Sequence, residues 1–209
     1  MQLMRLRGIG ASCIYPLLGC RARINWGFVG TEIDDKNYEY ANKNIVANGL
    51  VSRVTLIKRQ SADPLLGFDQ IPASRVDFVM CNPPFFSSRE DMLATYTNKA
   101  RPPPAVCTGA DVEMITEGGD EGFILRIVNE SVIWSTKCSW YTCMAGKLQT
   151  VHAVVGRLKE LNINNYAITC FQGGSITRRW GIAWSFSSFR PRNVGTFLFC
   201  QVFRRMLIA

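Results

Sequence analysis

Apolar runs and helical repeats alternate along this chain. Short apolar segments typical of buried strands occupy residues 26–31, 53–59, 75–81, 139–147, 165–171 and 179–186. Segments with apolar residues at helical spacing occupy residues 37–48, 123–132 and 151–161. Strands that alternate with helices in this way predict an α/β fold with a mostly parallel sheet.

Four predicted strand ends carry residues suited to ligand binding. In open α/β sheets, ligands bind at the carboxyl ends of the strands. The candidates at these ends are a glycine loop at residues 8–12, Glu32, Gln60 and the stretch at residues 82–86. Because parallel strands present their carboxyl ends at one edge of the sheet, we expect these groups to face one crevice.

The segment "GIGAS" is a glycine-poor version of a nucleotide-binding loop, in which glycine permits a tight turn and close backbone approach. An ordinary turn is the alternative. Glu32 follows about twenty residues later, the interval at which an acidic side chain accepts hydrogen bonds from ribose hydroxyls. A solvated carboxylate at a helix N-terminus is the alternative for Glu32. The candidate loop residues are Gly8, Gly10, Ala11 and Ser12.

The stretch "CNPPFF" places an asparagine, two prolines and two aromatic residues directly after an apolar run. An exocyclic aromatic amine has two N–H donors, which the side-chain oxygen of Asn82 and the carbonyl of Pro83 can accept. The amine nitrogen is then fixed with its lone pair turned toward an electrophile, a large part of such catalysis. Pro84 stiffens the loop, and Phe85 offers a stacking face worth about 1–3 kcal/mol per base. A plain turn with buried aromatic residues is the alternative.

Composition favours an intracellular protein with an anionic partner. The 209 residues are of one-domain size, and the formal net charge of +8 favours nucleic acid as that partner. Eight cysteines without a Cys-x-x-Cys pair, and a single histidine, argue against a metal site and for reduced core cysteines in the cytoplasm or nucleus. No apolar run reaches the roughly 18 residues of a membrane span. The first 23 residues also resemble a secretory signal, a rival interpretation of the glycine loop.

Seven sequence blocks closely resemble the S-adenosylmethionine-dependent RNA adenine-N6 methyltransferases. That family includes the eukaryotic enzyme acting on U6 spliceosomal RNA and the bacterial RlmF enzyme acting on large-subunit ribosomal RNA. The similarity runs from about residue 8 to residue 186. The blocks are "GIGASCIYPLLG", "TEIDD", "CNPPFF", "RPPP", "EGGDEGF", "WYTCMAGK" and "RRWGIAWSF".

The resemblance implies a Rossmann-like class I methyltransferase fold, with a mostly parallel sheet whose last strand is antiparallel. It also implies S-adenosylmethionine as cofactor, structured RNA as partner, and methyl transfer to adenine N6. The glycine loop and Glu32 would hold the cofactor, with Gln60 and Asn82 beside it. The implied catalytic motif is Asn82, Pro83, Pro84 and Phe85, and the candidate RNA contacts are Lys99, Arg101, Arg178 and Arg179.

Departures from the family pattern lie at the beginning of the chain. The family's loop begins Asp-Ile-Gly-Thr-Gly, whereas Leu6 and Arg7 stand at the first two positions here. The first strand of the sheet is therefore expected to be missing, and the methyltransferase domain, residues 1–192, to be N-terminally truncated. Residues 193–209 form a tail that resembles nothing we can place.

The sequence is compatible with three functions. The first is methylation of adenine N6 in a structured RNA such as U6 small nuclear RNA or ribosomal RNA, in the nucleus or cytoplasm. The second keeps the fold and methylates another planar amine, a protein glutamine or guanine N2; phenylalanine at position 85 and the basic charge favour RNA. The third, motivated by Leu6 and the expected loss of the first strand, is an RNA-binding remnant with impaired catalysis.

Overall fold

The computed structural model describes residues 2–71, 75–97, 111–172 and 178–190. Within these residues seven strands form one sheet, in the order β3-β2-β1-β4-β5-β7-β6. The strands are β1 (Gln2–Arg7), β2 (Trp26–Glu32), β3 (Val54–Lys58), β4 (Val76–Cys81), β5 (Cys138–Ala145), β6 (Asn165–Gln172) and β7 (Arg178–Ser185). The helices are α1 (Ile14–Ala22), α2 (Asp35–Ala47), α3 (Arg89–Thr97), α4 (Asp111–Met114), α5 (Gly119–Trp134) and α6 (Leu148–Glu160). Short 3₁₀ turns occupy Phe68–Gln70 and Ser135–Lys137.

The sheet has the predicted mixed character. Strands β1 to β5 pair in parallel, whereas β7 is antiparallel to both of its neighbours, β5 and β6. Because β7 runs against β5, it begins where β5 ends, with Trp180 opposite Ala145. The first residues of β7 therefore join the carboxyl ends of the parallel strands at one edge.

The prediction that the first strand is missing was wrong. Residues Gln2–Arg7 form β1, which pairs with β2 on one side and β4 on the other, so it is a central strand. Met4 and Leu6 are 0% and 2% exposed. Arginines at positions 5 and 7 break the apolar pattern, but the Arg5 guanidinium is buried over the Phe68 ring, 5.3 Å from its centroid. Because a buried arginine lowers the mean hydropathy of its segment, the hydropathy pattern does not indicate this core strand.

Two apolar clusters pack on opposite faces of the sheet. Helices α5 and α6 contribute Ile127 and Val154 to one cluster, together with Val79 of β4. Helices α1 and α2 contribute Cys20 and Ile45 to the other, in which Met4 and Leu6 also lie. Burial of each large aliphatic side chain stabilises the fold by about 1.5–3 kcal/mol. The molecule is thus a three-layer sandwich of helices around a sheet.

The buried cysteines fit the predicted reduced core. Cys13, Cys20, Cys81, Cys138 and Cys143 are buried and carry free thiols. Burial raises the pKa of Cys13 and of Cys138 to about 12, so these thiols stay protonated. Within the described ranges, no helix is both long enough and apolar enough to cross a membrane.

Candidate active site at the carboxyl edge of the sheet

The glycine loop turns sharply after β1. Gly8 and Gly10 have φ angles of 62° and 63°, in the left-handed region that favours glycine. The Gly8 amide donates to the Thr31 carbonyl at 3.0 Å, which joins the loop to the end of β2. A Cβ atom on Gly10 would lie 2.8 Å from a carboxylate oxygen of Glu113. The loop therefore makes a tight turn, and a side chain at Gly10 would require both a left-handed backbone and a shift of Glu113.

Ala11 and Ser12 continue this loop toward α1. The side-chain amide of Asn44, on α2, donates to the Ala11 carbonyl at 3.0 Å. Ser12 is exposed at the start of the turn into α1. The structure thus brings the four predicted loop residues to the carboxyl end of β1.

Glu32 is buried, being 3% exposed, which contradicts the alternative of a solvated carboxylate. One carboxylate oxygen accepts from the Gly10 amide at 3.0 Å. The other accepts from the amides of Ile33 at 2.8 Å and Asp34 at 3.0 Å. Glu32 therefore fixes the glycine loop to the end of β2. A carboxylate oxygen can accept two hydrogen bonds. The Glu32 oxygen that accepts from Gly10 therefore keeps capacity for a ligand hydroxyl.

A segment that the sequence analysis missed lies against the glycine loop. Glu113 of α4 accepts a hydrogen bond from the side-chain amide of Asn37 at 2.9 Å. The neighbouring Met114 carbonyl accepts from the Phe86 amide at 3.0 Å, and the Thr116 amide donates to the Phe86 carbonyl at 2.9 Å. This segment, residues 113–116, connects the loop at residues 82–85, called the Asn-Pro-Pro-Phe loop below, with the glycine loop. Glu113 and Gly10 are 103 residues apart in sequence. No local sequence pattern could therefore predict their contact.

The Asn-Pro-Pro-Phe loop follows β4 directly. Asn82 is exposed, Pro83 is buried, and Pro84 and Phe85 are half-buried. Tyr15, on α1, lies beside this loop: burial and Cys81 raise its pKa to about 12, while a hydrogen-bonding interaction with Asn82 opposes the rise. The asparagine is therefore open to a ligand and has a tyrosine hydroxyl as a neighbour.

Phe85 has contacts that sequence reasoning did not foresee. The Arg179 guanidinium lies 5.2 Å from the centroid of the Phe85 ring. A Cβ atom on Gly146 would lie 3.0 Å from Cδ1 of the ring. Asp120 is 4% exposed and accepts from the Gly146 amide at 2.7 Å. Asp120 lies in the "EGGDEGF" block, but its role becomes visible only when α5 packs beside β5.

Two of the remaining predicted residues, Gln60 and Arg178, also lie at the carboxyl edge. Gln60 is exposed after β3, and its backbone N–H donates to the Asp63 carboxylate at 2.8 Å. Arg178 is exposed at the start of β7. Lys99 and Arg101 lie outside the described residues.

Three features define a Rossmann-like methyltransferase: a mostly parallel sheet in which β7, next to the edge strand β6, is antiparallel; a glycine loop after β1; and an acid as the last residue of β2. The chain matches a family model described as "RNA methyltransferase" over residues 4–188. It belongs to this RNA methyltransferase family.

Two curated relatives illustrate the range of the family. The chain is 47% identical to the U6 small nuclear RNA (adenine-(43)-N(6))-methyltransferase of Schizosaccharomyces pombe, covering 89% of this chain and 46% of that protein. It is 35% identical to the ribosomal RNA large subunit methyltransferase F of Yersinia enterocolitica, covering 86% of this chain and 56% of that protein. The chain thus spans about half the length of these relatives.

Solved structures agree with the fold. The hMettl16 catalytic domain in complex with MAT2A 3'UTR hairpin 1 superposes with a TM-score of 0.82 at 36% identity, covering 91% of this chain and 66% of that chain. The N-terminal domain of human METTL16 in complex with SAH superposes with a TM-score of 0.71 at 31% identity, covering 90% of this chain and 62% of that chain.

Proposed function

We propose that this chain carries the catalytic site of an S-adenosylmethionine-dependent RNA methyltransferase that modifies adenine N6 in a structured RNA. The observation that carries the proposal is the exposed Asn82 on a proline-stiffened loop, joined through the Phe86–Met114 hydrogen bond and Glu113 to the glycine loop. The relatives named for adenine N6 methylation of U6 RNA and for methylation of ribosomal RNA support the same reaction.

The residues around the glycine loop fit the proposed cofactor. The positive φ angles of Gly8 and Gly10 give a tight turn whose backbone a ligand can approach, and the space beside Gly8 is open, with nothing within 4 Å of a Cβ placed there. Glu32, after β2, keeps acceptor capacity for ribose hydroxyls. When bound, S-adenosylmethionine supplies an electrophilic methyl group. SAH in the solved METTL16 domain supports this choice.

The Asn-Pro-Pro-Phe loop provides what an amine substrate requires. The Asn82 side-chain oxygen and the Pro83 carbonyl accept the two N6 hydrogens, so the nitrogen is held with its lone pair toward the methyl group. Phe85 stacks on the base, which contributes about 1–3 kcal/mol. Positioning of this kind is a large part of catalysis, and acceptors held in place beforehand need no reorganisation.

The target adenine must leave its stack before it can enter this site. Enzymes that act on a base take it from a loop or bulge, where unstacking costs least. We therefore propose an unpaired adenosine in an RNA hairpin as the substrate. By analogy with the U6 RNA relative, the nucleus is the proposed compartment.

Formation of β1 removes the main reason for the alternative of an RNA-binding remnant. Leu6 is a core residue in a central strand. Glu32 binds the Gly10 amide, so the loop is anchored without an acid at position 6.

Replacement of Asn82 tests the proposal. We expect Asn82→Ala to abolish methyl transfer to a U6 RNA hairpin, because one amine acceptor is lost, while calorimetry still detects S-adenosylmethionine binding. Asn25→Ala, an exposed asparagine before β2 at the opposite edge of the sheet, is the matched control and should retain activity. Wild-type turnover by Asn82→Ala would exclude the role given to this residue.

A further inference from the structure

Two adjacent arginines at the start of β7 have different surroundings. Arg178 is exposed, whereas Arg179 is half-buried. Successive residues of a strand point to opposite faces, so the two side chains diverge. The sequence predicts both as RNA contacts, but only Arg178 has the solvent exposure expected of such a contact.

Arg179 is directed toward the Asn-Pro-Pro-Phe loop. Its guanidinium carbon lies 5.2 Å from the centroid of the Phe85 ring, within the distance of a cation–π contact. Burial lowers the pKa of Arg179, and the nearby negative charge of Asp120 opposes that shift. The guanidinium lies over an aromatic ring, and its Nη1 donates to the Arg178 carbonyl at 3.1 Å, which fits a fixed position better than a mobile surface contact.

Asp120 is itself held firmly. One carboxylate oxygen accepts from the Gly146 amide at 2.7 Å, and the other accepts from the Thr150 hydroxyl at 3.1 Å. The carboxylate lies in the first turn of α5, where the helix dipole favours negative charge. Asp120 thus joins α5 to the segment after β5 and fixes Gly146, which packs against the Phe85 ring.

Backbone packing restricts Phe85 from two further directions. Hypothetical Cβ atoms on Gly146 would lie 3.0 Å from the ring carbon Cδ1 and 3.3 Å from an Asp120 carboxylate oxygen. A Cβ on Gly119, whose φ is 59°, would lie 3.3 Å from the Phe85 carbonyl oxygen. Gly146 therefore packs against the Phe85 ring on one side, Gly119 packs against the Phe85 backbone, and Arg179 lies over the ring.

We propose that Arg179 is a positioning residue for the target base: with Asp120 and Gly146 it forms an aromatic clamp that holds the Phe85 ring for stacking. The four residues come from β7, α5, the segment after β5 and the loop after β4, which converge at the carboxyl edge. The proposal rests on the proposed function, since it assigns the clamp to a planar purine. Arg178, by contrast, is exposed and stays the candidate contact for the RNA backbone.

The test uses a U6 RNA hairpin with 2-aminopurine at the target position for stacking, and the unmodified hairpin for turnover. Arg179→Gln keeps the aliphatic stem to Cδ and a planar polar group but removes the charge. We expect kcat to fall about 10- to 100-fold, with RNA affinity changed by less than about threefold and the 2-aminopurine fluorescence change largely lost. Arg179→Lys, which keeps a cation over the ring, should restore part of both signals.

Two comparison variants separate positioning from RNA binding. Arg178→Ala should weaken RNA binding and reduce the slope of log Kd against log salt by about one. Arg75→Ala, an exposed arginine before β4 at the opposite edge, should leave turnover unchanged. If Arg179→Gln behaves like Arg178→Ala, with a smaller salt slope and normal stacking, Arg179 is a phosphate contact and the proposal is overturned.

A second variant provides the test if Arg179→Gln does not fold. If circular dichroism shows that Arg179→Gln is unfolded, Gly146→Ala replaces it, because the added methyl group displaces the Phe85 ring without removing a charge. The same loss of stacking with retained RNA affinity is expected, and normal stacking would overturn the clamp. The fluorescence signal requires no methyl transfer, so an inactive wild type that still stacks 2-aminopurine would contradict the proposed function and leave the clamp supported.

Discussion

At the scale of single residues, the site depends on glycine positions that admit no side chain. Gly10 and Gly146 each lie within 3.0 Å, measured from a hypothetical Cβ, of a functional side chain, Glu113 and Phe85 respectively. The sequence predicted Gly10 from its loop and proposed Asn82 as a catalytic residue from its neighbouring prolines. Glu113 and Asp120 were missed because their partners are distant in sequence, so no local pattern contains them.

The two loop glycines allow a residue-scale prediction. Gly10→Ala combines a left-handed backbone, which costs about 1–2 kcal/mol for a residue with a Cβ, with a contact at 2.8 Å to the Glu113 carboxylate. We expect it to weaken S-adenosylmethionine binding by roughly tenfold or more in calorimetry. Gly8→Ala has a similar φ but nothing within 4 Å, so its effect should be smaller.

Controls identify the cause of the Gly10 effect. Gly49→Ala, at φ 66° with open space around it and far from the loop in sequence, should lower the unfolding free energy without changing cofactor affinity. Adding Glu113→Ala to Gly10→Ala should restore part of the affinity, because the close contact is removed. Equal affinities for the Gly8→Ala and Gly10→Ala variants would contradict a steric role for Glu113.

At the scale of elements, β1 is the largest difference between sequence and structure. Most strands and the long helices were predicted to within a few residues, because apolar runs and helical spacing follow burial directly. Strand β1 was not predicted, since Arg5 and Arg7 interrupt its apolar residues. Helix α1 was also missed: Pro16 lies in its first turn, where proline is tolerated, and its residues had been assigned to the loop.

The central position of β1 predicts a large stability effect at Leu6. Leu6→Ala removes a side chain that is 2% exposed and should lower the free energy of unfolding by about 2–5 kcal/mol in urea denaturation. Ile24→Ala, at a position 85% exposed, is the control and should change it by less than about 0.5 kcal/mol. A Leu6→Ala variant as stable as the control would mean that β1 is not part of the core.

At the scale of the whole molecule, charge and fold agree with an RNA partner. The formal net charge of +8 favours association with a polyanion, and the carboxyl edge is the proposed recognition site. The domain limits at residue 192 and the tail at residues 193–209 remain predictions, as do the roles of Lys99 and Arg101. Charge alone does not select a nucleotide, so we propose that specificity comes from the Asn-Pro-Pro-Phe loop and the clamp around Phe85.

The most direct measurement of the central claim is the identity of the methylated product. The purified chain would be incubated with labelled S-adenosylmethionine and either a U6 RNA hairpin or a glutamine-containing peptide, followed by digestion and mass spectrometry. The account predicts N6-methyladenosine in the RNA and no methylation of the peptide. N2-methylguanosine, methylglutamine, or no product from a folded chain that binds the cofactor would contradict it.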